Sequence, residues 1–203
     1  MPKAWVRERK RDHYYRKAMG EGYRSRATYK LFQAVEKFKF IRKGDVVVDL
    51  GAAPGGWIQA VREIVGSDGF VVGVDLNYIN PVPETNVKII QNDITQESTL
   101  QQILKLLPGK ADAVISDASP SISGVWEVDH ARQIDLAFHA LQIATSALRV
   151  SGSFFVKVFQ GDLLDDFVRK VKNHFKVVRI FKPEASRSKS SETFLIGLKM
   201  RLN

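Results

Sequence analysis

From Asp45 onward, short runs of β-branched and aromatic residues alternate with segments of helical periodicity, and few folds accommodate that pattern. The spacing predicts strands at 45–50, 69–75, 87–91, 111–116, 153–159, 175–181 and 193–199. Helices are predicted at 56–65, 97–107, 129–149 and 162–173. Strands alternating with helices call for a layered α/β arrangement around a mainly parallel sheet. Only "KPEASRSKSSE" separates the last two strands, too short for a crossover helix, so the chain is expected to end in an antiparallel hairpin. Ahead of this region, "RATYKLFQAVEKF" places Ala27, Leu31, Ala34, Val35 and Phe38 at helical spacing. No internal repeat or linker interrupts the 203 residues, which read as one domain.

The strand "SFFVKVF" carries an anomaly. Lys157 sits among Phe154, Phe155, Val156, Val158 and Phe159, where a long ammonium side chain is out of place unless something pairs with it or uses it.

Charge is unevenly placed. Residues 1–30 hold ten Lys/Arg against three Asp/Glu, so seven of the nine excess positive charges lie there, with Trp5, Tyr14, Tyr15, Tyr23 and Tyr29 interleaved. Cations beside aromatic faces suit RNA, and residues 1–24 are read as a basic RNA-contacting extension. A second basic stretch, with Arg179, Lys182, Arg187 and Lys189, can extend the same surface. The absence of cysteine removes disulfides, zinc–thiolate sites and cysteine nucleophiles from consideration. The four histidines lack metal-ligand spacing, and no metal is expected. No stretch approaches a membrane span and the N-terminal residues hold no apolar signal core, so a cytoplasmic protein is expected.

The first strand runs straight into "DLGAAPGGW" and then a helix. Ala53 stands where a dinucleotide fingerprint needs its second glycine, and no Gly-Lys-Ser/Thr follows for a phosphate loop. Asp75, Asp93 and Asp117 follow or end three further strands. An acid at the second strand suits ribose hydroxyls, and one after the third suits an adenine amino group. Together they point to an adenosine ligand without a pyrophosphate, for which S-adenosylmethionine is the leading candidate. With no cysteine for carbon methylation and no aromatic beside Pro120 in "SDASPS", a hydroxyl acceptor remains, and a hydroxyl benefits from a base. Lys157 can be that base when its amine is neutral, a form that an apolar strand and a neighbouring cation such as Lys30 both favour. Glu192 can hold either amine in place.

Five segments, "SRATYKL", "DLGAAPGGW", "SDASP", "FVKVFQG" and "RSKSSETFLIG", resemble in order and context the motifs of the FtsJ/RrmJ-type ribose 2′-O-methyltransferases. The resemblance spans nearly the whole chain. It implies a class I, Rossmann-like methyltransferase sandwich with a seven-stranded, mainly parallel sheet whose last strand is antiparallel. It implies a Lys-Asp-Lys-Glu catalytic tetrad at Lys30, Asp117, Lys157 and Glu192. It places S-adenosylmethionine against Gly51, Ala53, Pro54, Gly55, Gly56, Trp57, Asp75, Leu76, Asp93, Ile94 and Asp117, so that Asp117 has both a cofactor and a catalytic part. Short members of the family methylate a uridine of large-subunit ribosomal RNA in the assembled subunit, which is the expected substrate, with a monomeric enzyme. A tRNA anticodon-loop enzyme and a non-catalytic ribosome-assembly factor that binds RNA are the alternatives. The segment "SISGVWEVDHARQIDLA" departs from the commoner bacterial wording in carrying Trp126 and His130.

Overall fold

The structure is a computed structural model that describes residues 12–202. Trp5 and the basic residues before position 12, read above as RNA contacts, lie outside the described residues. In chain order the elements are α1 (His13–Gly20), α2 (Thr28–Phe38), β1 (Val46–Leu50), α3 (Gly56–Val65), β2 (Phe70–Asp75), β3 (Val87–Gln91), α4 (Glu97–Leu106), β4 (Ala111–Ser116), α5 (Trp126–Ala147), β5 (Leu148–Phe159), α6 (Leu164–His174), β6 (Phe175–Phe181) and β7 (Glu192–Met200).

The strands form a seven-stranded sheet in the order β3-β2-β1-β4-β5-β7-β6. β1 to β5 pair in parallel, while β7 inserts between β5 and β6 and runs antiparallel to both. Strand order reverses between β1 and β4, and such a reversal opens a crevice at the C-terminal ends of the strands. Successive side chains alternate between the two faces. Val47, Val71, Ala113, Ile115, Phe155, Phe194 and Ile196 pack with α2 and α3, whereas Val48, Val72, Val114, Phe154, Val156 and Leu195 pack with α4, α5 and α6. Because both faces are covered, the strands read as continuous apolar runs.

Two boundaries differ from the sequence reading by three residues or more. Helix α5 begins at Trp126, three residues before the expected start, because Asp129 in its first turn accepts hydrogen bonds from Ser123 and Gly124 and fixes the approach to the helix. Strand β5 begins at Leu148, which pairs with Ala111 before a register shift lets the ladder resume at Ser153.

Helix α1 was not anticipated. Asp12 caps it by accepting from the Tyr15 amide at 3.1 Å, and only Ala18 of its eight residues is buried, too few to leave a periodic signature. Tyr14, Tyr23 and Tyr29 do not stand out as a free aromatic surface. They cluster with Phe32, Ala18 and Ala185, and Tyr29 is 6% exposed. Burial and hydrogen bonds to Glu63 and Glu21 raise the phenol pKa of Tyr23, to about 12, and of Tyr29.

Asp49 interrupts the apolar run of β1. It is fully buried, and neither carboxyl oxygen has a hydrogen-bond partner among the described residues. Burial, with Asp117 and Asp75 nearby, pushes its pKa well above the usual carboxylate range. The folded protein therefore holds a proton that the unfolded chain releases, and this part of the stability is lost as pH rises above the ordinary carboxylate value. In ligand-free protein, the stability of wild type relative to Asp49→Asn is expected to fall as pH rises above the ordinary carboxylate value, by up to about 1.4 kcal/mol per pH unit. Denaturant titrations at several pH values measure it, and parallel profiles for the two proteins would count against a protonated Asp49.

Candidate active site

The crevice at the strand-order reversal is a cavity of ≈ 550 Å³. Its walls come from the segments that follow β1 to β4 and from one side of α5. Gly51 turns the chain out of β1, its amide and that of Ala52 donating to Val74. It adopts φ +74°, and a Cβ there would lie 2.4 Å from the Ala118 Cα, so only glycine lets the ends of β1 and β4 approach this closely. Asp75 braces the same turn: one carboxylate oxygen accepts from the Ala53 amide at 2.9 Å and the other from the Asn77 amide at 2.7 Å. Asp93 accepts from the Thr95 amide and so shapes the opposite wall.

Gly51, Ala53, Asp75, Leu76, Asp93, Ile94 and Asp117 all line this cavity. Pro54, Gly55, Gly56 and Trp57 do not. Trp57 is 3% exposed, its Nε1 donates to the Ala27 carbonyl at 2.7 Å, and its ring packs against Phe155 and Phe194. The expectation of a ligand contact is therefore corrected for its side chain, which ties α3 to α2 and the sheet. What segment 55–57 can offer a ligand is main chain, including the unsatisfied amides of the first turn of α3. The cavity is acidic in a basic protein: Asp75, Asp93, Asp117 and Asp135 face one guanidinium, Arg132. Such walls favour a cationic ligand of nucleoside size and disfavour a pyrophosphate.

Beside the cavity, the ladders between β4, β5 and β7 assemble the four tetrad residues. Ser116 pairs with Val156, so Asp117 and Lys157 follow as neighbours; Lys157 pairs with Phe194, and Phe159 with Glu192. The Lys157 ammonium donates to the Asp117 carbonyl at 2.7 Å and lies 3.3 Å from its Oδ1. Lys30 reaches in from α2 to Glu192 Oε1 at 2.6 Å, with its Nζ 5.6 Å from the centre of the Phe194 ring. Ser186 Oγ also donates to that Glu192 oxygen. Each lysine thus has its own carboxylate partner: Glu192 holds Lys30, and Asp117 holds Lys157. All four side chains are mostly buried.

Three positioning residues had escaped the sequence reading. Gln133, 1% exposed, donates to the carbonyls of Lys157 and Ala118 and so clamps the ends of β5 and β4 together. Its only signal was a polar residue on the apolar face of a helix. Arg24 binds the carbonyls of Pro54, Asn80 and Pro81 and fixes the glycine turn from outside. Arg26 pairs with Asp12 and the Ala185 carbonyl, and burial, with Arg187 alongside, lowers its guanidinium pKa. Arg26, Arg187, Lys30 and Glu192 surround a second, smaller pocket of ≈ 260 Å³. Among the described residues no group of three or more His, Asp or Glu is arranged to hold a metal ion, and no helix is long and apolar enough to cross a membrane.

Comparison with known proteins agrees with this geometry. A chain named Ribosomal RNA large subunit methyltransferase E from Methanococcus aeolicus is 55% identical over 197 residues, which are 97% of this chain and 73% of the relative. The protein of the same name from Methanocaldococcus jannaschii is 53% identical over 198 residues, 96% of this chain and 81% of the relative. Among solved structures, a ribosomal RNA methyltransferase from Plasmodium falciparum superposes with a TM-score of 0.77 at 26% identity, covering 89% of this chain and all of the other. Aeropyrum pernix fibrillarin, solved with S-adenosyl-L-methionine, superposes with a TM-score of 0.60 at 15% identity, over 87% of this chain and 75% of its own, a likeness of fold. The sequence model of the FtsJ-like methyltransferases matches residues 23–200, and the chain belongs to that family.

Proposed function

We propose that this protein transfers the methyl group of S-adenosylmethionine to the ribose 2′-hydroxyl of a uridine in large-subunit ribosomal RNA, within the assembled subunit. The observation that carries the reading is the buried Lys157 amine on Asp117, set on the sheet face that bears the Lys30–Glu192 pair and beside an acidic cavity.

The cavity residues fit the cofactor on electrostatic grounds: a ligand bearing a sulfonium and an ammonium meets carboxylates, and Asp49 adds a buried, unpartnered carboxyl behind them. Asp75 and Leu76 would hold its ribose, Asp93 and Ile94 its adenine, and Asp117 with the main chain of Gly51 to Trp57 its methionine portion. Bound there, the cofactor would supply an electrophilic methyl group to the ribose 2′-oxygen, the electron pair of the carbon–sulfur bond remaining on sulfur. Lys157, once its ammonium has released a proton to solvent, accepts the hydroxyl proton as the free amine. Asp117 orients that amine through its carbonyl and carboxylate. Lys30, neutralised by Glu192, donates toward the acceptor ribose and fixes its approach. Burial of the four side chains keeps bulk water from the reacting oxygen, so much of the rate comes from positioning.

The whole chain acts as one methyltransferase domain, monomeric and cytoplasmic, with residues 1–24 as its RNA-contacting extension. Arg187, exposed beside the pair at Lys30, receives the phosphate backbone.

Labelled methyl transfer to isolated large subunits, free ribosomal RNA and tRNA, followed by mapping of the product, tests the reading. A 2′-O-methyluridine in large-subunit RNA is expected. Methylation of tRNA alone would move the substrate, and a methylated base would reject the mechanism. Lys157→Met, which keeps the apolar stem, is expected to lower turnover by about 10²- to 10⁴-fold while cofactor affinity is unchanged; equilibrium dialysis against single-turnover rates separates the two. Arg187→Ala is expected to weaken RNA binding and reduce its logarithmic salt slope by about 1, without affecting cofactor binding.

A further inference from the structure

The N-terminal turn of α5 carries a feature that neither the cavity nor the tetrad uses. Trp126 is 44% exposed and lies over His130 and Phe159, which are 5% and 9% exposed. Ring centroids are 5.7 Å from His130 and 5.9 Å from Phe159, with interplanar angles of 14° and 23°. The indole thus packs against two buried rings while nearly half of the residue stays open to solvent.

The stack is fixed from below. His130 Nε2 accepts from the Leu163 amide at 3.1 Å, which puts the ring proton on Nδ1. A Cβ on Gly161 would lie 2.7 Å from that Nε2, so the glycine that ends "FVKVFQG" lets the loop close over the imidazole. On the other side, Asp129 accepts from the Ser123 amide and hydroxyl and from the Gly124 amide, bonds that hold its carboxylate below the usual range and anchor the segment leading to Trp126. The indole is preset, which lowers the cost of stacking a ligand on it.

Its place is beside the reaction. Phe159 is two residues beyond Lys157 on β5 and pairs with Glu192. Gln133, which holds the Lys157 carbonyl, is seven residues along α5 from Trp126, about 10 Å of helix rise. That distance is within the reach of a few stacked nucleotides at about 3.4 Å each.

We propose that Trp126, backed by His130 and Phe159, seats a nucleobase of the substrate RNA that flanks the methylated nucleotide, and so contributes to the choice of target. This rests on the function proposed above. A base is the occupant because the surface is flat, aromatic and partly exposed, and continuous with a site that must receive RNA; unpaired bases are recognised by stacking on such rings. The seat reads a splayed, single-stranded base and carries little sequence preference by itself.

Trp126→Leu and Trp126→Phe test it on the full chain, with large-subunit RNA lacking the modification as the probe. Trp126→Leu is expected to weaken RNA binding and raise the RNA KM by about 5- to 100-fold, the range of one base-on-aromatic stack. Trp126→Phe should retain most of the affinity. Cofactor affinity should not change, and neither should the salt slope, since no phosphate contact is lost. Ultraviolet crosslinking of wild type should attach a nucleobase to Trp126. Equal RNA affinity in Trp126→Leu and wild type would overturn the proposal, as would equal affinity in the Leu and Phe variants, which would mark a merely apolar contact such as a protein surface. Binding is read apart from turnover: wild type that binds RNA but transfers no methyl group overturns the methyltransferase reading, while the Leu variant still decides the stack.

Discussion

The Lys157 ammonium needs a partner inside a strand that is otherwise apolar, and the site is arranged around meeting that need. A buried cation costs several kcal/mol unless its protons are taken up. The parallel ladder of β4 and β5 supplies the Asp117 carbonyl at 2.7 Å, and Gln133 satisfies the outgoing carbonyls of both strands so that neither end frays. Once β7 pairs antiparallel to β5, Phe194 falls opposite Lys157 and Glu192 falls two residues away on the same face, where Lys30 can reach it. The antiparallel insertion is therefore part of how the candidate site is built: it brings Glu192 back to the strand ends.

Charge is divided between outside and inside. The chain carries a formal net charge of +9, yet the cavity walls are mostly carboxylate. Positive surface raises the local concentration of a polyanion, whereas the acidic interior selects a cation and repels phosphate. Screening confines surface fields to about 10 Å at 0.1 M salt, so the two regions can differ in sign over a short distance. The tetrad sits between them, with two lysines and two carboxylates close to neutral as a set. Asp49 extends the same logic inward: with Asp75 and Asp117 already near, a third buried carboxylate is avoided by keeping it protonated.

Residues whose role depends on local chain geometry were legible in the sequence. Strands 87–91, 111–116 and 175–181 and helix 56–65 fall where periodicity put them, and the strand-end aspartates reach the cavity because successive parallel strands must end on the same side. Roles that depend on tertiary contacts were not. The resemblance implied a ligand contact at Trp57, but its position on α3 directs the ring into the core. Glu192 was expected to hold either Lys30 or Lys157, and only the placement of α2 shows that it holds Lys30, since nothing in the sequence distinguishes two lysines competing for two carboxylates. Gln133 was hidden because a single polar residue in a long helix has no periodic signature. The tyrosines among the N-terminal cations were read as part of an RNA-contacting surface, and only the position of Ala185 in the loop before β7 shows Tyr14, Tyr23 and Tyr29 packed inward.

That loop changes what the N-terminal segment is for. Tyr14 accepts a hydrogen bond from Gln33, whose carbonyl oxygen accepts from the Ala185 amide; Arg26 binds the Ala185 carbonyl and Asp12; and Ser186, the next residue, donates to Glu192. A continuous set of polar contacts thus runs from α1 through α2 to the glutamate that holds Lys30. The same stretch supplies much of the positive charge expected to meet RNA. Docking of α1 and placement of Glu192 share these bonds, so the segment from Asp12 onward is a brace for the candidate active site.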